Sequence, residues 1–252
     1  MKLAYFISDA HLGAGYITDK REHEGRLVRF LDSIKADAAE LYLLGDILDY
    51  WFEYKHVVPR GHVRFLGKLA ELADAGVKIY WFTGNHDVWL RDYLSSEIGL
   101  KVIYGHTPMT VLGKQFLLSH GDDVGYQRPG YRVIRSIFYN KVCQWLYASV
   151  HPRWTYPLAT RWSQRNRVTR DKDTETRLKQ EFCKHLEDYC NSYGASHPDV
   201  EHFVFGHLHL ACQVKLHQGR DMTVLGDWID QMTYATFDGK NVELRSYNEV
   251  DS

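Results

Sequence analysis

Five apolar runs in this 252-residue chain each end on side chains that bind metal ions. The runs LAYFI, LYLL, KIYWF, QFLL and HFVF lead into Ser8-Asp9-Ala10-His11, Gly45-Asp46-Ile47-Leu48-Asp49, Gly84-Asn85-His86-Asp87, Ser119-His120-Gly121-Asp122 and Gly206-His207-Leu208-His209. Short runs of this composition predict buried strands. A strand is stiff and its C-terminal end opens onto a loop, so this placement fixes ligands where solvent and substrate reach them. Carboxylate, imidazole and amide oxygen without thiolate suit Mn, Fe, Zn or Ni. Seven or eight such groups exceed the needs of one ion and match two ions sharing a carboxylate.

Around these runs, residues 1–120 alternate strand and helix. Helical spacing of Leu27, Val28, Leu31 and Ile34 predicts a helix over 22–35. A second helix is expected over 61–75 and a short one from about 88, with strands at 41–44, 78–82, 101–104, 109–113 and 115–119. Between His120 and His207 the pattern is almost purely helical, at roughly 130–150, 154–166 and 172–192. Strands return at 202–205, 212–217, 221–225, 231–237 and 241–247, with Asp238-Gly239 as a hairpin turn. Two packed sheets flanked by helices account for this order economically. The expectation is a single domain over 1–252 with a helical cap insertion at about 124–197.

A formal net charge of −1 gives no global field toward nucleic acid or anionic lipid. The balance is uneven, however. From Val124 to Arg170 there is no Asp or Glu, yet nine Lys and Arg side chains occur, interleaved with aromatics such as Tyr131, Phe138, Trp145 and Trp154. Ile134, Phe138, Val142, Trp145 and Ser149 form one helical stripe, which an ordinary amphipathic helix pair on the core would explain. Uncompensated cations on the same stretch suit a phosphate-bearing ligand with an apolar part, or a membrane surface. Cys183 and Cys190 lie seven residues apart on a helix, about 10 Å along its axis, too far to bridge. A reduced, intracellular chain is expected. No signal-peptide core and no apolar run of the ~18–20 residues of a membrane span occur. Asp49 reads as the cap of the following turn, and the nine histidines outside the motifs read as surface or core residues.

The ordered set D-x-H, G-D-x-x-D, G-N-H-D, H-G-D and G-H-x-H resembles the calcineurin-like metallophosphoesterase superfamily. The resemblance implies an α/β fold, a four-layer α/β/β/α sandwich of two mixed sheets. It further implies that Asp9, His11 and His209 hold one divalent ion, that Asn85, His120 and His207 hold the other, and that Asp46 bridges them. Two such ions clamp phosphoryl oxygens and draw a nucleophile from water near neutral pH. His86 would then stabilise charge on the phosphorane or leaving oxygen, with Asp87 orienting it.

Within the superfamily, S-D-x-H-L-G, H-G-D, the long helical insertion and Leu225-Gly226-Asp227-Trp228 are similar to the UDP-2,3-diacylglucosamine hydrolases of bacterial lipid A synthesis. The best-known members carry Arg at the position of His86. The resemblance implies hydrolysis of the pyrophosphate bond of a lipid-linked nucleotide sugar, Mn as the metal (with Fe, Zn or Ni as alternatives), and a cytoplasmic protein peripheral on the inner face of the cell membrane. Substrate contacts are expected from Asn85, His86, Arg128, Arg165 and His207, and not with nucleic acid. A protein Ser/Thr phosphatase would show Arg-Gly after G-D-x-x-D, where Tyr50-Trp51 stands. A nuclease of the same superfamily would need an open basic groove of stacking aromatics. A non-catalytic scaffold would have no use for every ligand plus His86.

Overall fold

The computed structural model describes residues 2–124, 129–167 and 172–248. Two mixed sheets form its centre. In the first, the order is β11 (Val242–Ser246), β10 (Thr233–Phe237), β1 (Leu3–Ile7), β2 (Ala38–Leu44), β3 (Lys78–Phe82) and β4 (Lys101–Ile103). In the second it is β5 (Thr107–Val111), β6 (Lys114–Ser119), β7 (Val200–Phe205), β9 (Asp221–Leu225) and β8 (Ala211–Lys215). Strands β1 to β4 run parallel, as do β6, β7 and β9, whereas β10, β11, β5 and β8 pair antiparallel with their neighbours.

Alternation of side chains along a strand decides the layering. Ala4, Phe6, Tyr42, Leu44 and Phe82 on the first sheet meet Phe116, Leu118 and Val204 on the second. Phe6 stacks between Tyr42 and Phe116 at centroid separations of 4.9 and 5.8 Å. Each such buried ring contributes about 1.5–3 kcal/mol. The alternate residues Tyr5, Ile7, Leu41, Leu43, Ile79 and Trp81 face outward against helices α1 (Lys20–Ser33) and α2 (Val63–Asp74), with short α3 (Tyr93–Ile98) beside them. On the far side, Leu186 and Cys190 of α7 (Lys172–Ser196) cover Leu117, Phe203, Phe205 and Val224. Helix, sheet, sheet and helix make the expected four-layer sandwich.

Helices α4 (Pro129–Tyr139), α5 (Lys141–Ala148) and α6 (Pro152–Arg167) join β6 to α7. The continuous helix expected over 130–150 is broken at Asn140. Its side chain accepts from the backbone N–H groups of Val142 and Cys143 at 2.9 and 3.1 Å, which caps a new helix. That break splits the apolar stripe. Phe138 packs on Trp89 with ring centroids 5.1 Å apart, whereas Val142 and Trp145 are 64% and 67% exposed. The strand expected to reach 113 stops at Val111, because Leu112 and Gly113 turn with φ of 42° and 89°. The hairpin turn at Asp238-Gly239 forms as expected, with Asp238 accepting from Lys240 and Asn241 N–H.

Candidate metal centre

The five motif segments follow β1, β2, β3, β6 and β7, all of which are parallel within their own sheets. The β1–β2 ladder continues past the strands: Asp9 N–H donates to Gly45 O, and His11 N–H to Asp46 O. Backbone conformation changes abruptly here. Nine non-glycine residues have positive φ among the described residues, and five of them are Asp9, His11, Asp46, His207 and His209. The left-handed region costs an L residue roughly 1–3 kcal/mol where the chain imposes it, and such strain collects at functional sites. Glycines permit the close approach. A Cβ on Gly206 would lie 2.7 Å from Asp9 Oδ2, and one on Gly84 would collide with Asp46.

Each carboxylate spends one oxygen on the backbone and presents the other. Asp9 Oδ2 accepts from His207 N–H at 2.8 Å, and Asp46 Oδ1 accepts from His86 N–H at 2.8 Å. Asp9 Oδ1 then lies 3.4 Å from His209 Nε2 and 3.8 Å from His11 Nε2. Asp46 Oδ2 lies 3.3 Å from His120 Nε2, 3.8 Å from His11 Nε2 and 4.0 Å from His86 Nε2. Ligand atoms about 2.0–2.2 Å from one ion stand roughly 3–3.5 Å apart, so these separations match shared coordination. Three groups could hold an ion: Asp9, His11 and His209; His11, Asp46 and His86; and Asp46, His120 and His207. Asp46 and His11 each belong to two of them, and of the two only a carboxylate suits a bridge, since a neutral imidazole has one lone pair to offer.

The imidazoles are held from behind. His120 Nδ1 lies 2.8 Å from Leu44 O, which can only accept, so Nδ1 carries a proton and Nε2 is the atom turned inward. Against burial, Asp46 raises this imidazole well above its ordinary value, so an ion bound there would displace the Nε2 proton. His209 Nδ1 lies 3.2 Å from Asp227 Oδ2, and His11 Nδ1 lies 3.3 Å from Asp49 Oδ1. Asp227 is fixed in turn, since its Oδ1 accepts from the N–H groups of Ile229, Asp230 and Gln231. Asp9 Oδ1 and Asn85 Oδ1 are buried and without a hydrogen-bond partner, a costly state that a cation would relieve. Burial alone would raise Asp9, but the His209 and His11 imidazoles hold it down at about 2. Burial also pushes His207 down to about 4, aided by His120, which leaves it neutral and able to ligate. The residues present fit divalent ions.

Asp87, expected to orient His86, makes its hydrogen bonds elsewhere among the described residues. Its oxygens accept from the N–H groups of Gly84, Asp46 and Ile47 and from Trp81 Nε1, at 2.7 to 3.3 Å. It is the clamp between two ligand loops. Burial, with Asp46 nearby, raises its carboxyl to about 6. His86 Nδ1 instead meets the Asp49 carbonyl at 3.0 Å and the Asp49 carboxylate at 3.5 Å. Asp49, expected to cap a turn, thus supports both His11 and His86. Half-buried His86 also has the geometry of a ligand, through its place beside His11 and Asp46.

Of the expected substrate contacts, Arg128 lies outside the described residues and Arg165 is placed on α6 by its backbone alone. The cap meets the centre elsewhere. Asp122 of the H-G-D segment accepts from Tyr131 Oη at 2.8 Å and from Arg135 Nε at 3.2 Å, both on α4. An acid two residues after a histidine ligand, with Tyr and Arg four apart on the next helix, was the available signal for this tie.

The profile of the calcineurin-like phosphoesterase family matches residues 4–211. A UDP-2,3-diacylglucosamine hydrolase of Porphyromonas gingivalis (strain ATCC BAA-308 / W83) is 40% identical, with 98% of each chain covered. Enzymes of that name from Neisseria meningitidis serogroup B (strain ATCC BAA-335 / MC58) and Haemophilus influenzae (strain ATCC 51907 / DSM 11121 / KW20 / Rd) are each 27% identical. The first covers 90% of each chain, and the second covers 90% of this chain and 91% of its own. With a cradle of histidines and carboxylates at the strand ends, the chain belongs to the calcineurin-like phosphoesterase family and is a metal-dependent hydrolase.

Proposed function

We propose that this protein hydrolyses the pyrophosphate bond of UDP-2,3-diacylglucosamine, releasing UMP and 2,3-diacylglucosamine 1-phosphate, a step of lipid A synthesis. The observation that carries this reading is the 40% identity, over 98% of each chain, to a UDP-2,3-diacylglucosamine hydrolase. Asp9, His11 and His209 would hold one divalent ion, Asn85, His120 and His207 the second, with Asp46 between them and Mn as the preferred metal. When bound, the ions supply Lewis acidity toward phosphoryl oxygens and lower the pKa of water. Asp46 offsets the repulsion between two cations. His86, at the rim, presents Nε2 to a phosphoryl or leaving oxygen; burial lowers its imidazole below the ordinary value, and the Asp46 and Asp49 carboxylates oppose that shift. Asp87 acts indirectly, by keeping the Asp46 and Gly84 loops in register.

The cap supplies the apolar part of the site and contacts the lipid surface. Ten of the thirteen exposed large apolar side chains among the described residues lie between Val133 and Leu158. The stretch carries no acid of its own, and although Arg135 pairs with Asp122, its other cations suit the diphosphate and an anionic inner leaflet. Arg128 and Arg165 are the proposed phosphate or uridine contacts, together with Asn85, His86 and His207. No helix among the described residues is long and apolar enough to cross a membrane, so contact would be peripheral.

The test compares kcat/KM on UDP-2,3-diacylglucosamine and on UDP-N-acetylglucosamine, which has the same pyrophosphate without long chains. Burying only five additional methylenes contributes about 4 kcal/mol, so the diacylated substrate should lead by at least about 10³-fold. Equal rates, or preference for single-stranded nucleic acid, would overturn this reading.

A further inference from the structure

Beside the ligand loops lies a pair of thiols that the hydrolytic site does not use. Cys183, midway along α7, and Cys212, on edge strand β8, place their sulfurs 3.4 Å apart across 29 residues of sequence. Both are free and partly accessible. A disulfide has an S–S length near 2.05 Å, so closing the pair needs about 1.4 Å of approach, within the reach of rotamer and helix adjustment. Cys190 is a poor competitor. It sits seven residues along the same helix, fully buried, and burial pushes its thiol up. Cys183 differs: its hydrogen bond with Cys212 lowers it to about 7, against the opposing effect of burial, so thiolate is available at Cys183 near neutral pH.

The position matters more than the proximity. Phe182, the neighbour of Cys183, packs against the His207 ring with centroids 6.0 Å apart. Cys212 follows His209 by three residues, and between them Ala211 N–H is held by Gln231 Oε1, whose amide also donates to His209 O and to Asp227. A bond between α7 and β8 would therefore load the segment that carries His207 and His209 from both sides.

We propose that Cys183 and Cys212 are a reversible dithiol–disulfide switch, oxidised by peroxide, that cross-links α7 to β8 and alters the setting of His207 and His209. In the first step the Cys183 thiolate attacks one peroxide oxygen and the O–O bond breaks. Hydroxide leaves and takes up a proton as water, and Cys183 becomes a sulfenic acid. Cys212 sulfur, losing its proton, then attacks Cys183 sulfur and displaces hydroxide, which departs as water with that proton. Two thiols and one peroxide give one disulfide and two waters. A dithiol reductant reverses the bond by exchange.

The experiment treats the metal-loaded full chain with hydrogen peroxide under native conditions, alkylates it, and follows it by intact and peptide mass spectrometry. Before alkylation the oxidised protein should be lighter by two hydrogens, and after it Cys183 and Cys212 should carry no alkyl group and yield a linked peptide, while Cys143 and Cys190 take no part. Its thermal midpoint should rise by a few degrees, and its turnover should fall several-fold. Dithiothreitol should reverse both changes. In C212S, Cys183 should stop at a sulfenic acid that dimedone traps, with no reversible change in turnover. No cross-link in the wild type, a link to Cys143 or Cys190, equal dimedone trapping in wild type and C212S, or unchanged turnover of the linked form would each overturn the proposal.

Discussion

The ligand end of the sandwich and the cap helices are built on opposite terms. At the ligand end, five candidate ligands sit on left-handed backbone, and both carboxylates and most imidazoles are braced by a second partner. On α4 to α6 no described residue has a positive φ, α5 buries none of its residues, and large apolar side chains stand in solvent. Strain at one end is tolerated because the sheets beneath over-determine it. Exposure at the other has no such compensation among the described residues, which is what a surface awaiting an apolar ligand looks like. Substitutions at the ligand end should therefore act on chemistry and metal content, and those on the cap should act on substrate choice.

The largest effect is expected at Asp46, the carboxylate shared by two of the three possible ion groups. Asp46→Ala removes the counter-charge between the ions and the acceptor for His86 N–H. Turnover should fall by at least about 10³-fold, and ICP-MS should find less metal per chain. An active variant with two tightly held ions would break the comparison at its strongest point. His86→Ala should cost roughly 10²–10⁴-fold in kcat with both ions retained. Because His86 also lies within ligand distance of His11 and Asp46, the metal analysis decides its role. Metal lost together with activity makes it a ligand.

A smaller loss, about 10–100-fold, should follow Asp49→Ala, which leaves His11 and His86 without the carboxylate behind their Nδ1 atoms. Asp87→Ala should act differently. It strands the buried N–H groups of Gly84 and Ile47 and the Trp81 indole, at about 1–3 kcal/mol for each donor left unsatisfied, so the midpoint of thermal unfolding should drop. If Asp87→Ala leaves unfolding unchanged and lowers only kcat, the adjacent acid orients His86 after all.

These two acids show where the sequence is informative and where it is silent. Strands LAYFI, KIYWF and DMTVL are found where their apolar runs predict, and the five motifs converge because each ends a strand parallel to another within its sheet. Strand order and residue type suffice for that. The partner of His86 is not legible in the same way, because adjacency in sequence is not adjacency in a tight loop. Asp87 points back under Gly84, and Asp49 arrives from the end of a neighbouring strand. The Cys183–Cys212 contact is hidden for the same reason, since it spans a helix and a strand 29 residues apart. The break at Asn140 was readable, as Asn before a run of helix formers is an N-cap signal, but the apolar stripe across it gave the opposite message.

The smallest effects, and the finest test of the contrast, belong to the two cap aromatics of the former stripe. Phe138 packs on Trp89, and its carbonyl accepts from the Trp89 indole at 3.0 Å, whereas Trp145 is 67% exposed. Phe138→Ala removes a partly buried ring, so it should lower stability by about 1–3 kcal/mol and slow every substrate alike as the α4 anchor loosens. Trp145→Ala removes nothing the fold depends on and should change stability by less than about 0.5 kcal/mol. Its ring is available to acyl chains, so kcat/KM for the diacylated substrate should fall by about 3–30-fold, the worth of about 1–2 kcal/mol of lost apolar contact. A small chromogenic phosphodiester should be hydrolysed as fast as by the wild type. A uniform loss on both substrates from Trp145→Ala would mean that the exposed face of the cap supports the fold, and that acyl recognition lies elsewhere.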